Sequence, residues 1–437
     1  MLTNTTNVKI INSSPISAFG GINFVFEYLN KLKIDKLCQE QLPCIAAQSK
    51  YSWKDIFYSL NSIFLCGGDS IEDLQTHLKS HFINNPFVKL TSPDTVLRRL
   101  SQLTEDTKTC RTKRGVVDHQ YCTNQILENF NIEVLKKLGV FNSQELTLDY
   151  DNTIIFNEKQ DSKMTYKRDF GYQPGVCTIN EEFILYVENR NGNSDAKSFQ
   201  KDTLERIFNL LDTKQVKKIK HFRADAASYQ YDVVTFLQEK VDYFYIGCRN
   251  SYVEKYFSQI DNWEVVKDKN GSLEVGYIDI IPFRTQAKLQ NQKAQTFRLI
   301  AKRSLRKDGQ TNLITQDAYE YRGILTNNFE TDSITLVQFY NQRGNMERQF
   351  DILKNDFGWN NMPFSTLNKN LVFLYFTAIY RNLYNKIIEY FSQKVKTLKP
   401  NYRMKKFIFR FIIQPAKWVK QSRQLKLRIY SLNHYQT

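Results

Sequence analysis

The sequence is short of the residues that build fibrous, disulfide-stapled or membrane-spanning proteins. Its 437 residues include only 16 Gly and 9 Pro, too few for a collagen-like or mucin-like chain. Charged residues at 24% beside 41% hydrophobic content exclude a wholly disordered one. The seven cysteines, Cys38, Cys44, Cys66, Cys110, Cys122, Cys177 and Cys248, are odd in number and scattered, with no C-x-x-C pair. Neither a disulfide framework nor a zinc ribbon is expected. His77 and His81 lie one helical turn apart downstream of Cys66, but the second cysteine of a zinc site is missing, so the segment reads as a solvated helix. The longest mostly apolar run, Leu371 to Tyr380, is far short of the roughly 20 residues a bilayer helix needs. The polar stretch Asn4–Thr6 lacks a signal-peptide core. A soluble, cytoplasmic protein of about three domains is expected.

Acid is missing altogether from the C-terminal stretch. From Lys394 onward there are twelve Lys and Arg and no Asp or Glu, so this stretch holds most of the formal net charge of +16. Tyr402, Phe407, Phe409, Phe411, Trp418 and Tyr430 are interleaved with the cations. Cations that release condensed counterions, beside planar rings that stack on bases, suit a nucleic acid; a solvated basic face or an anionic-membrane patch is the plainer alternative. Lys405 and Lys406 are the candidate DNA contacts here.

Residues 1–140 read as a helical N-terminal domain. Phe24–Leu32 and Trp53–Leu65 carry apolar residues at helical spacing, and Pro93-Asp94 opens a stretch with Arg98 and Arg99 side by side. Those arginines suit a DNA-binding domain or an ordinary bundle equally. From Glu145 the period becomes two: Leu146, Leu148 and Tyr150 share one strand face, Thr147, Asp149 and Asp151 the other. Strands over Tyr172–Ile179 and Phe183–Val187 follow, then a helix through Leu204 and Leu211, a strand ending at Arg223-Ala224-Asp225, a helix through Val233 and Leu237, and a strand over Val241–Gly247. This β-β-β-α-β-α-β order matches an α/β, RNase H-like core. It spans 141–248, is interrupted by a β-rich insertion over 249–335 with turns at Asn270-Gly271 and Asp308-Gly309, and resumes over 336–393 before a basic helical C-terminal region at 394–437.

The sharpest pattern begins after Leu336. On one continuous helix, Tyr340, Arg343, Glu347 and Lys354 project within an arc of about 60°, beside an apolar stripe of Met346, Phe350, Leu353 and Phe357. Three carboxylates, Asp151, Asp225 and Glu347, suffice to hold two divalent ions about 4 Å apart for phosphoryl transfer, and Arg343 and Lys354 could grip phosphates. Trp263 in the insertion either stacks on an unpaired base or fills a strand core.

These residues carry a resemblance. Tyr340-(2)-Arg343-(3)-Glu347-(6)-Lys354 resembles the Y-(2)-R-(3)-E-(6)-K signature of bacterial insertion-sequence transposases of the DDE class, the insertion sequence four-like superfamily. Asp151-Asn152-Thr153 is similar to the group's first motif and Arg223-Ala224-Asp225 to its second, although Ala226-Ala227 stands where relatives often have Ser-Gly. Phe19-Gly20-Gly21, the segment Gly67–Leu74 and Gln414-Pro415-Ala416 resemble the branch named for insertion sequence thirteen-eighty. The resemblance implies a DNA transposase that binds terminal inverted repeats, cleaves the ends and joins them to target DNA. It further implies catalytic and metal-binding roles for Asp151, Asp225 and Glu347, two Mg²⁺ or Mn²⁺ ions, DNA contacts by Tyr340, Arg343, Lys354 and Trp263, a homodimeric synaptic complex and a nucleoid-associated place in a bacterial cytoplasm. Asp149 and Thr153 would support the first ligand, and Asp149 competes with Asp151 for that role. The alternative is a catalytically silent, transposase-derived DNA-binding protein; a structure-selective nuclease or integrase of the same fold is disfavoured by the helix signature.

Overall fold

Local sequence signals mark the starts of several helices. A computed structural model describes residues 15–111, 117–268, 271–306, 311 and 318–430. Helices α1 (Ile22–Lys31) and α2 (Ile34–Gln41) precede α3 (Trp53–Leu65), which starts at a capping box: Ser52 Oγ accepts from the Asp55 amide and the Asp55 carboxylate accepts from the Ser52 amide. Helix α4 (Pro93–Ser101) has Pro at its first position, where the missing N–H costs nothing. Strands β1 (Lys108–Arg111) and β2 (Asp118–Cys122) lead to α5 (Gln125–Lys137), capped by Asn124.

Next come β3 (Thr147–Asn152), β4 (Ile155–Phe156), β5 (Lys163–Met164), β6 (Phe170–Tyr172), β7 (Gly175–Ile179) and β8 (Phe183–Arg190). Helix α6 (Gln200–Thr213), β9 (Ile219–Ala224), α7 (Tyr231–Lys240) and β10 (Val241–Cys248) follow. The chain continues through α8 (Asn250–Phe257), β11 (Glu264–Asp268), β12 (Gly271–Ile280), α9 (Arg284–Leu289), β13 (Phe297–Leu305) and β14 (Tyr319–Thr326). It then forms α10 (Ser333–Asn341), α11 (Asn345–Asp356), α12 (Leu367–Ser392), α13 (Met404–Phe407) and the hairpin β15 (Ala416–Gln421) and β16 (Gln424–Ile429). Among the described residues no helix is long and apolar enough to cross a membrane.

The chain divides into two compact units, and the divisions differ from those expected from composition. One unit takes the described residues of 1–102, 356–363 and 384–437; the other takes those of 103–355 and 364–383. The first break therefore falls at Gln102, not near 140, because β1 and β2 join the sheet of the second unit. The basic segment after 394 is likewise not a domain of its own, and it is not mainly helical. Its short helix α13 gives way to the β15–β16 hairpin, whose turn residues Ser422 and Arg423 have φ of 51° and 63°. Alternation in Leu425–Arg428 and the strand-favouring pair Trp418-Val419 explain the strands, and the register puts Lys417, Lys426 and Arg428 on one face.

Within the first unit, two segments nearly 400 residues apart in sequence are paired. Ser17 and Ala416 exchange backbone hydrogen bonds of 2.8 and 2.9 Å, and the Gly20 amide donates to the Gln414 carbonyl at 2.8 Å. A β-carbon at Gly21 would stand 2.0 Å from the Phe411 carbonyl oxygen, so only Gly allows this approach. The motifs at Phe19–Gly21 and Gln414–Ala416 are thus two halves of one contact.

The second unit is organised by an 11-stranded mixed sheet in the order β1-β2-β8-β7-β3-β9-β10-β14-β13-β12-β11. Strands β3, β9 and β10 run parallel at its centre, with antiparallel β7 and β8 on one side and antiparallel β14 to β11 on the other. The expected β-rich insertion is therefore a continuation of the same sheet. Its expected turns at Asn270-Gly271 and Asp308-Gly309 involve residues outside those described.

Strand β8 is buried along its whole length and breaks register with β7 beside Thr178. Backbone groups at this irregularity find side-chain partners. The Ile184 amide donates to Asn382 Oδ1 at 2.7 Å, and Asn131 Nδ2 donates to the Ile184 and Leu185 carbonyls at 2.9 Å.

The same strand carries a fully buried Glu188. Arg190 Nε reaches one of its oxygens at 2.9 Å and Arg206 Nη2 the other at 2.7 Å, while the Thr203 hydroxyl donates at 2.9 Å. Burial opposes the charge, but the two guanidiniums hold the carboxyl below its ordinary pKa. A carboxyl depressed in the folded state stabilises the fold above the ordinary carboxylate range, and that contribution fades as pH falls through the depressed value. Replacing Glu188 by Gln leaves the buried Arg190 and the partly buried Arg206 uncompensated, so a loss of about 3 kcal/mol is expected at neutral pH. Urea denaturation as a function of pH checks this, and the gap between variant and wild type should narrow in acid.

Candidate active site

The central strand pair creates the site. Tyr150 of β3 pairs with Ala224 of parallel β9, so the residues that follow, Asp151 and Asp225, emerge side by side at the C-terminal ends of two neighbouring strands. Adjacent strands lie about 4.8 Å apart, which brings the two carboxylates into mutual repulsion. Asp151 is pushed up to about 6 by burial and by Asp225, against the pull of Arg343. One of its oxygens accepts from Arg343 Nη1 at 2.9 Å and the other from the Asn152 amide at 2.8 Å. Asp225 caps the turn Ala226–Ser228 by accepting from the Ala227 amide at 2.9 Å, and the Ala226-Ala227 pair does not disturb that cap.

The third element differs from the single helix that the spacing predicts. Tyr340 lies on α10, Arg343 on a 3-10 turn at Gln342–Gly344, and Glu347 and Lys354 on α11. Gly344 and Asn345, both weak helix formers, stand at this change of winding. Packing nevertheless brings the four side chains around the strand ends. Helix α10 seats Leu336 and Val337 on Tyr245, Val275, Ile300 and Ile324, so the sheet beyond β10 carries it. Tyr340 then donates to the Ala224 carbonyl at 3.2 Å, in space that a β-carbon at Gly247 would fill, 2.6 Å from the hydroxyl. Burial pushes the Tyr340 phenol up to about 12 despite nearby Arg343. Helix α11 buries Met346, Phe350 and Leu353 and leaves Glu347 exposed. Lys354 donates to the Ile154 carbonyl at 2.7 Å, and burial together with Lys167 lowers its ammonium pKa.

Asp149 and Asp151 separate cleanly. Asp149 is buried and engaged by Arg223, from Nε at 2.6 Å and from Nη2 at 2.8 Å. Arg223 also donates to Glu181 at 3.0 Å, to the Phe339 carbonyl at 2.7 Å and to Gln342 at 3.1 Å, and stacks on the Phe339 ring at 4.6 Å. All five of its N–H groups are used. Asp149 therefore ties the sheet to α10, while Asp151 faces the cleft. Thr153 is buried at the cleft wall, its amide donating to the Pro174 carbonyl at 3.1 Å.

Asp151, Asp225 and Glu347 line one cleft of about 790 Å³, with Thr153, Lys354, Arg249, Lys167, Tyr166 and Phe156 also in its wall. Trp263 is not brought there: Arg303 covers its ring at 4.0 Å and Tyr321 meets it edge-on at 5.9 Å. Arg98, Arg99, Lys405 and Lys406 belong to the other unit. There, Arg99 bonds Ser49 and Gln102, Lys406 lies over the Tyr402 ring at 5.0 Å, and Arg98 and Lys405 are exposed. His77 lies near Asp73 at 3.8 Å and His81 accepts from the Ala18 amide.

Three hard oxygen donors of like charge are a donor set that suits a divalent cation, and the Asp151 pKa is raised by burial first and by its neighbour Asp225 second. Among the described residues no three carboxylate, thiol or imidazole side chains stand together closely enough to hold an ion as placed; Arg343 takes one Asp151 oxygen. Arg249 and the Tyr166-Lys167 pair are among the cleft residues that sequence reasoning missed, with Phe156, Asp195, Lys197 and Asp351. Arg249 directly follows strand β10, and the Tyr166-Lys167-Arg168 run is a compact aromatic-basic cluster, so both left a local signal.

A family model described as "Transposase DDE domain group 1" matches residues 10–437. No curated protein matches the chain. Among solved structures, the piggyBac transposase synaptic complex with hairpin DNA is similar at 11% identity and a TM-score of 0.42, covering 91% of this chain and 80% of that one. The Drosophila P element transposase strand transfer complex matches at 10% identity and a TM-score of 0.26, covering 85% and 88%. The Mos1 mariner paired-end complex with Mn matches at 14% identity and a TM-score of 0.17, covering 50% and 76%.

Proposed function

Because the chain belongs to the transposase DDE domain group 1 family, we propose that it is a DNA transposase of the insertion sequence four-like superfamily, in the thirteen-eighty branch. It binds the terminal inverted repeats of its element, cleaves strands there and transfers them to target DNA. The observation that carries this reading is the delivery of Asp151, Asp225 and Glu347 to one cleft from two adjacent strand ends and a helix, with Arg343 and Lys354 beside them. The strand order β8-β7-β3-β9-β10 supports an RNase H-like core.

Asp151, Asp225 and Glu347 would hold two Mg²⁺ or Mn²⁺ ions. When bound, such ions supply a more acidic attacking hydroxyl and neutralise charge on the leaving oxygen. The chain's own residues position the polyanion. Lys354, fixed at Ile154, offers a cation to a phosphate near the scissile bond, and Arg343 exchanges Asp151 for phosphate when DNA arrives. Exposed cations on α13 and the terminal hairpin, with Arg98, supply backbone contacts along the DNA, and a homodimer holds two ends together.

The test is strand cleavage of the DNA flanking the gene. Addition of Mg²⁺ or Mn²⁺ should produce nicks at the boundaries of imperfect inverted repeats, and chelation should abolish them. Metal-independent cutting, or none at those boundaries, would contradict the reading.

A further inference from the structure

The hairpin β15–β16 stands on the first unit by one of its two faces. Ala416 is buried, Trp418 meets Phe87 at 6.2 Å, and Leu427 and Ile429 are half-buried. The Tyr430 amide closes the root by donating to the Pro415 carbonyl at 2.8 Å. Beyond this root every residue from Lys420 to Lys426 is exposed. A two-stranded ribbon is marginal in water on its own, so a length left this exposed adds little to the fold.

The other face carries Lys417 opposite Arg428, Val419 opposite Lys426 and Gln421 opposite Gln424. Like charges placed directly across a ladder repel, and no acid lies between Lys394 and the end of the sequence to relieve them. At the turn, Ser422 and Arg423 both take positive φ, the form of a two-residue hairpin in which Asn-Gly is the ordinary choice. Arg423 thus accepts an unfavourable backbone conformation and places a further cation at the tip. The tip sequence Gln421-Ser422-Arg423-Gln424 has no apolar side chain, which disfavours insertion into lipid and suits a polar, anionic groove. Each strand is six residues long, and a strand of that length spans about 20 Å. The major groove of DNA, about 12 Å wide and about 8.5 Å deep, admits such a ribbon, and a glutamine amide matches the paired donor and acceptor on the adenine edge exposed there.

We propose that the hairpin Ala416–Ile429 is a sequence-reading ribbon that enters the major groove of the terminal repeat, with Lys417, Lys426 and Arg428 on phosphates and Gln421 and Gln424 on adenine edges. This rests on the transposase reading and adds how the repeat is told apart from other DNA. The cations fix the ribbon in the groove without regard to sequence, and the two amides at the tip carry the discrimination.

The experiment uses the full chain and two duplexes: the DNA flanking the gene, and a scrambled duplex of equal length and composition. Wild-type protein should favour the first by on the order of 1,000-fold. Gln421→Ala and Gln424→Ala should each cut that ratio by roughly tenfold. Replacing adenines of the repeat one at a time by 7-deazaadenine, which lacks the N7 acceptor, should weaken wild-type binding at positions where it costs the glutamine variants nothing more. Lys417→Ala and Arg428→Ala should weaken both duplexes alike and lower the salt slope by about one each. A ratio unchanged in both glutamine variants, with cleavage at the repeat boundary intact, overturns the hairpin's role and leaves the transposase reading standing. Equal sensitivity of wild type and glutamine variants to every 7-deazaadenine also overturns it. Binding to phosphatidylserine vesicles that Lys417→Ala abolishes, with the duplex ratio unmoved in the glutamine variants, assigns the hairpin to a membrane surface and overturns it as well. A wild-type protein with neither a preference for the flanking duplex nor cleavage at its boundary overturns both readings together.

Discussion

Glu347→Gln is expected to lower metal-dependent strand cleavage by well over 100-fold while binding of DNA ends persists. Glu347 is exposed on α11 and takes no part in the helix's buried stripe, so the amide should leave folding intact. What it removes is one of the carboxylates that line the cleft, the others being Asp151, Asp195, Asp225 and Asp351. Loss of an outer partner of a metal ligand already costs about 10–100-fold, and loss of a ligand should cost more. Single-turnover cleavage, measured alongside a mobility shift and a thermal melt, separates the effects. A variant that cuts at the wild-type rate would remove Glu347 from the site.

Arg223→Met is expected to destabilise the second unit by about 3–5 kcal/mol. The guanidinium is fully buried, and its loss leaves Asp149 as an uncompensated charge beneath the site. It also frees the Phe339 carbonyl near the end of α10 and Gln342 on the turn that presents Arg343. Methionine fills part of the volume, so the loss reads on charge and hydrogen bonding more than on a cavity. If Asp149 and Arg223 act as a pair, the Asp149→Asn, Arg223→Met double variant should lose less than the sum of the singles. Chemical denaturation of the four proteins measures the coupling; strict additivity would show that the pair is not a unit. Cleavage should fall with stability in Arg223→Met, because the turn carrying Arg343 loses its anchor.

Strand β3 was legible because its sequence alternates apolar and polar residues, although Asp149 on the polar face is buried as well. Leu148 and Tyr150 against Asp151, and Asp225 at a strand end, follow directly from that pattern. The hairpin Ile155–Tyr172 escaped because strands of two or three residues are too short for a period to emerge. The break between α10 and α11 escaped for a different reason: the Tyr340 to Lys354 spacing fits an ideal helix even though a 3-10 turn intervenes. Tertiary packing, not helix phase, brings those residues together. The role of Asp149 was undecided in sequence because its partner is 74 residues away on a parallel strand. The C-terminal region was read by its charge, and the alternation in Leu425–Arg428 was overlooked. Unit boundaries were the least legible feature, since one unit is assembled from three stretches of chain.

The central claim is that Asp151, Asp225 and Glu347 form a shared cation site. Direct titration of Mn²⁺ into the protein in the presence of DNA, followed by paramagnetic resonance of the free ion, tests it without reliance on turnover. The account predicts about two ions per chain for the wild type and a loss of that binding in Asp151→Asn, Asp225→Asn and Glu347→Gln alike. Undiminished Mn²⁺ binding in any one of the three would contradict it.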